Sequence, residues 1–371
     1  MKFVSPILKR LVYPALHRSG VLPRFSRGGD LSVVTYHGVL PGDYKVTDPL
    51  LDGGWVTAES FRRQVRLLHS NYNVVSAEQV RQWARGEADL PARAVLLTCD
   101  DGLSNASTQM LPILREEKVS CLFFVTAESL EGSPGMLWYE ELYLTLLALP
   151  EGPLQGRFRG VEVNVTLNSS VQQRHCYWWN LVATLSGETM DSRLGCAKEI
   201  RDHYGMPADW LQQYVEAQAS RFRLLTPGEI RELLDCGMMI GSHTISHPKL
   251  SHLPAACAWQ EISESRRELE QRLGVPVWSI AYPFGGIDSV SQREMQMAER
   301  AGYDCAFVNF GGGSQRSLPR FGIPRLHVTL DMKLAEFEAH VCGLHEGLRQ
   351  RFGHAEEVPC SPDDATGCGP D

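Results

Sequence analysis

Short apolar runs rich in β-branched and aromatic residues alternate with amphipathic stretches along most of the chain, the rhythm of βα repetition around a parallel sheet. Seven runs predict strands: Leu31–Tyr36, Ala94–Thr98, Val119–Val125, Met238–Gly241, Val277–Ala281, Asp304–Val308 and Ile323–Val328. Most are apolar almost without a break, as strands covered on both faces should be. The helices between them carry their own start and stop signals. Ser76 with Gln79 makes a capping-box pattern ahead of Val80 and Trp83, and Thr226-Pro227-Gly228-Glu229 makes a second with proline at the first helical position. Pro254 to Leu273 reads as a long amphipathic helix stopped by Gly274, and Val290 to Ala301 as one stopped by Gly302.

One stretch breaks the rhythm. Residues 131–225 hold Trp138, Tyr139, Tyr143, Tyr177, Trp178, Trp179, Trp210 and Tyr214, and within them Val161–Asn168 alternates like a half-buried strand. A structureless loop of that length does not suit a compact domain, so an inserted subdomain is expected. Its aromatic side chains could form a lid over a ligand or the insert's own core, and the second reading is favoured. The expected organisation is an N-terminal amphipathic segment (1–30), a barrel-forming region (31–352) interrupted by 131–225, and a flexible tail (353–371).

Composition narrows the possibilities. The 371 residues are 43% hydrophobic and 22% charged, ordinary for a globular chain with a sizeable core. Thirty-six Lys and Arg against 44 Asp and Glu leave a net charge of −8, which disfavours a nucleic-acid partner. No apolar run approaches the roughly 18 residues that span a bilayer. At the start, Lys2, Lys9, Arg10, His17 and Arg18 interrupt Val4, Ile7, Leu8, Leu11, Val12 and Leu16, so a secretory signal is not expected. The spacing permits peripheral membrane contact through a surface helix, and equally a helix packed on the domain. The ten cysteines include no close CxxC pair, and Cys121 and Cys305 sit in apolar runs where a thiol acts as a small hydrophobe. The chain therefore reads as reduced and cytoplasmic, at the inner face of the membrane if the first segment touches lipid.

Candidate chemistry gathers at the ends of the predicted strands. Asp100 and Asp101 follow the strand Ala94–Thr98, and adjacent carboxylates there are costly to desolvate without a partner such as a metal ion. A plain Asp-Asp-Gly turn is the alternative. His243 and His247, four apart on what reads as a helical turn, could reach one cation, although surface or capping histidines also produce that spacing. Tyr282-Pro283-Phe284-Gly285 and Arg325-Leu326-His327 lie at or just beyond further strand ends. In a parallel barrel all these ends meet at one face, where loops converge on substrate. Two histidines and a carboxylate would leave positions open for water and substrate, with a spare carboxylate to take a proton, a constellation suited to amide or ester hydrolysis.

Thr98-Cys99-Asp100-Asp101-Gly102, His243-Thr244-Ile245-Ser246-His247 and Tyr282-Pro283-Phe284-Gly285, in this order, resemble the polysaccharide deacetylases of the NodB-homology group. Thr35-Tyr36-His37-Gly38-Val39 and Leu111-Pro112-Ile113-Leu114 add to the likeness, which covers residues 31–130 and 226–330. The resemblance implies an α/β fold, a distorted (β/α)7 barrel here carrying an inserted subdomain. It implies Asp100 as general base and Asp101, His243 and His247 as ligands of a divalent metal, zinc above all, with a backbone amide near Tyr282 stabilising the oxyanion.

The departures from the family pattern are specific. Cys99 replaces the usual phenylalanine. No arginine stands in the third motif, and Arg325 is the candidate to orient the base in its stead. His327 matches the general-acid motif only loosely; it is the candidate acid, with a strand histidine of no catalytic role as the alternative. His37, Tyr282, Pro283 and Phe284 are expected to line the substrate pocket, while His69, His252 and His345 are expected at the surface. The resemblance points to a metal-dependent hydrolase removing an N-acetyl or O-acetyl group from a carbohydrate, such as a glycan or glycolipid precursor. A hydrolase of a non-sugar amide and a catalytically idle sugar-binding module remain the alternatives.

Overall fold

The computed structural model describes residues 4–26, 31–42, 44, 49–131, 135–310 and 319–352, so the predicted tail 353–371 lies outside the described residues. The strands Leu31–Tyr36, Ala94–Cys99, Leu122–Val125, Met239–Ser242, Ser279–Ala281 and Cys305–Val308 lie side by side, every pairing parallel. Ile323–Pro324 pairs with Phe307 and Val308 at one edge. Leu326–His327 pairs with Val34 and Thr35 at the other. The single segment 323–327 thus joins the last strand to the first and nearly closes a parallel (β/α) barrel.

The predicted strands are present, with two informative differences. The run Ile323–Val328 is not one strand: Arg325 separates two pairings to opposite neighbours. The run from Val119 starts its ladder only at Leu122, because Lys118 turns left-handed (φ 54°) to end the preceding helix and the Val119 amide is spent on Leu114. Alternate side chains of each strand enter different cores. Val33, Leu96, Leu122 and Phe124 join one cluster, and Val34, Leu97, Phe123 and Val125 join another with helix residues such as Phe61, Leu114 and Ile262. Burial on both faces is why these strands lack a polar side. The Ser76 and Thr226 capping boxes both form.

Between Trp138 and Phe222 the chain leaves the barrel. The helix Trp138–Ala148, an antiparallel hairpin of Gly152–Phe158 with Val161–Leu167, and the helices Val171–Ser186 and Met190–His203 share a hydrophobic cluster that includes Trp138, Leu142, Tyr143, Phe158, Trp178 and Ile200. The first helical residues dock through Tyr13, which is fully buried in the barrel's outer core, and through the Lys9–Glu336 and His17–Glu338 pairs. Ile7 and Leu11 on the same segment are exposed. His345 is not a plain surface residue: Nδ1 lies 2.9 Å from the Tyr13 hydroxyl, and the ring stacks on His340 at 3.8 Å. Among the described residues no helix is long and apolar enough to cross a membrane.

Candidate active site

Asp100 and Asp101 stand where the strand Ala94–Cys99 ends, and their backbone sends the two carboxylates in different directions. The Asp100 amide still pairs with the Tyr36 carbonyl, whereas Asp101 (φ 74°) and Gly102 (φ 66°) turn left-handed in succession. Asp tolerates that conformation, and at Gly102 a β-carbon would press on Val125.

Asp100 faces Arg325. Nη1 and Nη2 of the guanidinium lie 2.7 and 2.6 Å from the two carboxylate oxygens, and both side chains are buried. Burial opposes ionisation of Asp100, but Arg325, with help from His243, wins and holds the carboxyl below its ordinary range. Arg325, from the barrel's closing segment, thus stands against Asp100, where the third motif carries no arginine.

Asp101 faces the histidines. Its Oδ1 lies 3.4 Å from His243 Nε2 and 3.3 Å from His247 Nε2, and all three side chains are buried. Among the described residues this is the group of three able to hold one ion. His243 Nδ1 donates to the Ala281 carbonyl at 2.7 Å, which fixes a proton on Nδ1 and points Nε2 at the carboxylate. Two imidazole nitrogens and a carboxylate oxygen are a donor set that fits a cation between them. Tetrahedral bonds of about 2.0–2.1 Å put neighbouring ligand atoms roughly 3.3 Å apart, which is the spacing from Asp101 to each imidazole.

The histidines do not sit on a helical turn. Thr244 (φ 67°) and His247 (φ 56°) are left-handed, and the loop is held by a buried network. Glu261 accepts from the Ile245 and Ser246 amides at 2.9 and 3.0 Å and from the Ser246 hydroxyl at 2.5 Å, while Arg193 donates to Glu261 and Ser246 at 2.7 and 2.8 Å. Sequence spacing placed both imidazoles near one point, but it is this turn that aims them. The helix Ala255–Leu273 supplies Glu261, and the insert supplies Arg193.

His37 and His327 come together, their rings 4.4 Å apart, with His37 Nδ1 and His327 Nε2 buried without hydrogen-bond partners. Burial, and then His37, drop the His327 pKa to about 3, so its ring is neutral. Both histidines line an open pocket with Asp101, Gly54 and Trp55. The opposite wall is Tyr139, Glu140, Tyr143, His175 and Trp178, all from the insert. Tyr143 and Trp178 thus belong to the insert's core and wall the pocket at the same time. Sequence reading missed Glu140 and His175, which carry no spacing signal linking them to the strand ends.

The third motif departs from expectation. Tyr282 is fully buried in the outer core, its hydroxyl donates to the Phe321 carbonyl and its amide to the Phe307 carbonyl, so neither is available to a ligand or an oxyanion. Strand alternation turned its side chain outward. Pro283 is buried and does not line the pocket. Phe284 flanks the metal-ligand candidates instead, its ring 4.8 Å from His247 and 5.3 Å from Tyr139.

A family model described as polysaccharide deacetylase matches residues 87–143 and 173–306, just over half of the chain and including both Asp100-Asp101 and His243–His247. The Bacillus subtilis (strain 168) protein YxkH is 25% identical over 117 residues, 32% of this chain, and the match spans only 41% of YxkH. Among solved structures, the Streptococcus pyogenes deacetylase PplD, determined with acetate, is similar with a TM-score of 0.56 at 15% identity, over 85% of this chain and 99% of that one. IcaB from Ammonifex degensii is similar with a TM-score of 0.52 at 17% identity, over 85% and 98%. At these identities the likeness is one of fold.

Proposed function

This chain belongs to the polysaccharide deacetylase family, and we propose that it is a metal-dependent hydrolase that removes the acetyl group from an acetamido sugar of a glycan or glycolipid. The observation that carries the reading is the division of labour between adjacent carboxylates: Asp100 is forked to Arg325, and Asp101 faces His243 and His247.

A divalent cation held by Asp101, His243 and His247 would supply Lewis acidity toward the acyl carbonyl and an acidified water, and this donor set suits zinc. Asp100, kept ionised by Arg325, takes the proton of the attacking water. Arg325 fixes the carboxylate plane and neutralises its buried charge, so the base is oriented before substrate arrives. The proton that Asp100 takes from the water is the one the leaving nitrogen needs, and His327, neutral and therefore an acceptor at the start, receives it as negative charge develops on the attacked carbonyl and passes it to that nitrogen. Phe284 and Tyr139 shield His247 from bulk water.

The test is acetate release from a panel of acetylated sugars by the native protein, Asp100→Asn and His243→Ala, each assayed with metal restored. Release by the native protein and its loss in both variants is the expected result. Full activity in either variant overturns the reading.

A further inference from the structure

The pocket continues past the reacting groups to a wall built by the insert, and that wall holds a buried acceptor with nothing to accept. Glu140 is 3% exposed. Its Oε1 lies 2.9 Å from Arg221 Nη1, while its Oε2 is buried without a hydrogen-bond partner and Glu140 lines the pocket. Arg221 does not satisfy it, and its own Nη1 is likewise buried without a hydrogen-bond partner. Its Nε is spent on Asp52 at 2.8 Å, its Nη2 on the Leu51 carbonyl at 3.3 Å, and its plane is held by Trp55 at 4.1 Å and Phe222 at 4.4 Å. Two buried carboxyl groups therefore share one guanidinium, and Glu140 Oε2 and Arg221 Nη1 are both left without a hydrogen bond. A buried polar atom in that state is costly unless something supplies its partner.

Beside Glu140 the wall is apolar and pinned. The Trp178 indole N–H donates to the Tyr139 carbonyl at 2.6 Å, so the ring is fixed and offers carbon surface only.

We infer that this end of the pocket is the sugar-recognition subsite, in which Glu140 Oε2 pairs with a hydroxyl of the acetamido sugar and Trp178 packs on its ring. The inference rests on the deacetylase reading and says where its substrate's ring goes. A hydroxyl both donates and accepts, so it satisfies the carboxyl in either protonation state. A carboxylate or phosphate on that ring position would meet Asp52 and Glu140 with only Arg221 between them. The class selected is a neutral acetamido sugar with a free hydroxyl, not a uronic acid or sugar phosphate.

Binding of N-acetylglucosamine and its 3-, 4- and 6-deoxy analogues to Asp100→Asn by calorimetry tests the subsite without turnover and without touching the wall. The kcat/KM for the same sugars and for 4-nitrophenyl acetate, which has no ring, is then compared between the native protein and Glu140→Gln. One deoxy analogue should bind about tenfold to hundredfold more weakly than the parent sugar. Glu140→Gln should lower kcat/KM for the parent sugar relative to 4-nitrophenyl acetate by a similar factor, with little further loss on that analogue. Equal binding of all four sugars, no binding of any, or an equal fall on sugar and ester in Glu140→Gln overturns the inference. Hydroxyl-dependent binding without acetate release would sink the deacetylase reading and leave the subsite standing; acetate release indifferent to Glu140 would do the reverse.

Discussion

Arg325 grips Asp100 through both terminal nitrogens, and the pair is shut away from solvent although its members stand 225 positions apart. The depressed pKa this produces has a definite sign. Asp100 is ionised above its folded value, so base-dependent activity holds on the alkaline side and falls as pH drops through that value. Arg325→Lys keeps a charge but loses the fork. Its acid limb in a kcat/KM profile should move to higher pH, with activity at neutral pH reduced about tenfold to hundredfold. An unmoved acid limb would show that Arg325 does not set the ionisation of the base.

Removing the guanidinium altogether leaves a buried carboxylate alone. Arg325→Met should cost about 3–5 kcal/mol in urea unfolding at neutral pH. Asp100 contributes stability above the ordinary carboxylate range, and that contribution disappears as pH falls through its lower folded value. The deficit of Arg325→Met should therefore shrink toward strongly acidic pH, and Arg325→Met/Asp100→Asn should recover part of it at neutral pH.

A cation that binds the folded site stabilises the fold. Zinc at a free concentration 100 times its Kd should add about 2.7 kcal/mol, seen as a rise in Tm. Chelation should reverse it. His243→Ala/His247→Ala should show no metal-dependent rise, and a rise equal to that of the native protein would place the metal elsewhere.

Glu261 holds the ligand loop by its backbone. Glu261→Ala strands the Ile245 and Ser246 amides and leaves Arg193 buried without its carboxylate partner. It should destabilise by about 3 kcal/mol or more and weaken metal affinity about tenfold to hundredfold, measured by competition with a chromogenic chelator. Unchanged affinity would mean that the loop holds its shape without Glu261.

Acid should loosen the fold before carboxylates protonate. Burial lowers His327 and His340 to about 3 and His345 to about 4, so the unfolded chain takes up protons first as pH falls through the ordinary imidazole range. Stability should drop from about pH 6.5 downward, by at most about 1.4 kcal/mol per pH unit for a fully buried imidazole and less for the partly exposed His345. His340→Gln/His345→Gln should flatten this slope in pH-dependent thermal unfolding.

The barrel was legible because strands buried on both faces leave apolar runs, and because capping residues mark the helices between them. The metal-ligand candidates were legible for the same reason: Asp101 and His243 directly follow such runs. Tyr282 misled because a motif's position at a strand end does not say which way alternate side chains point. Glu140, Glu261 and Arg193 were invisible in sequence, since their partners are backbone amides, a buried guanidinium and a serine brought near only by the insert and a barrel helix. The insert's aromatics posed a false choice, for Trp178 fills a core on one side and bounds the pocket on the other.

The segment 323–327 sets an order of events during synthesis. The paired carboxylates leave the ribosome early and the imidazoles later, yet the guanidinium that readies the base arrives only with the residues that lock the ring. On the proposed function, a nascent chain can hold every ligand candidate and still lack an oriented base, so competence would be withheld until 323–327 has paired.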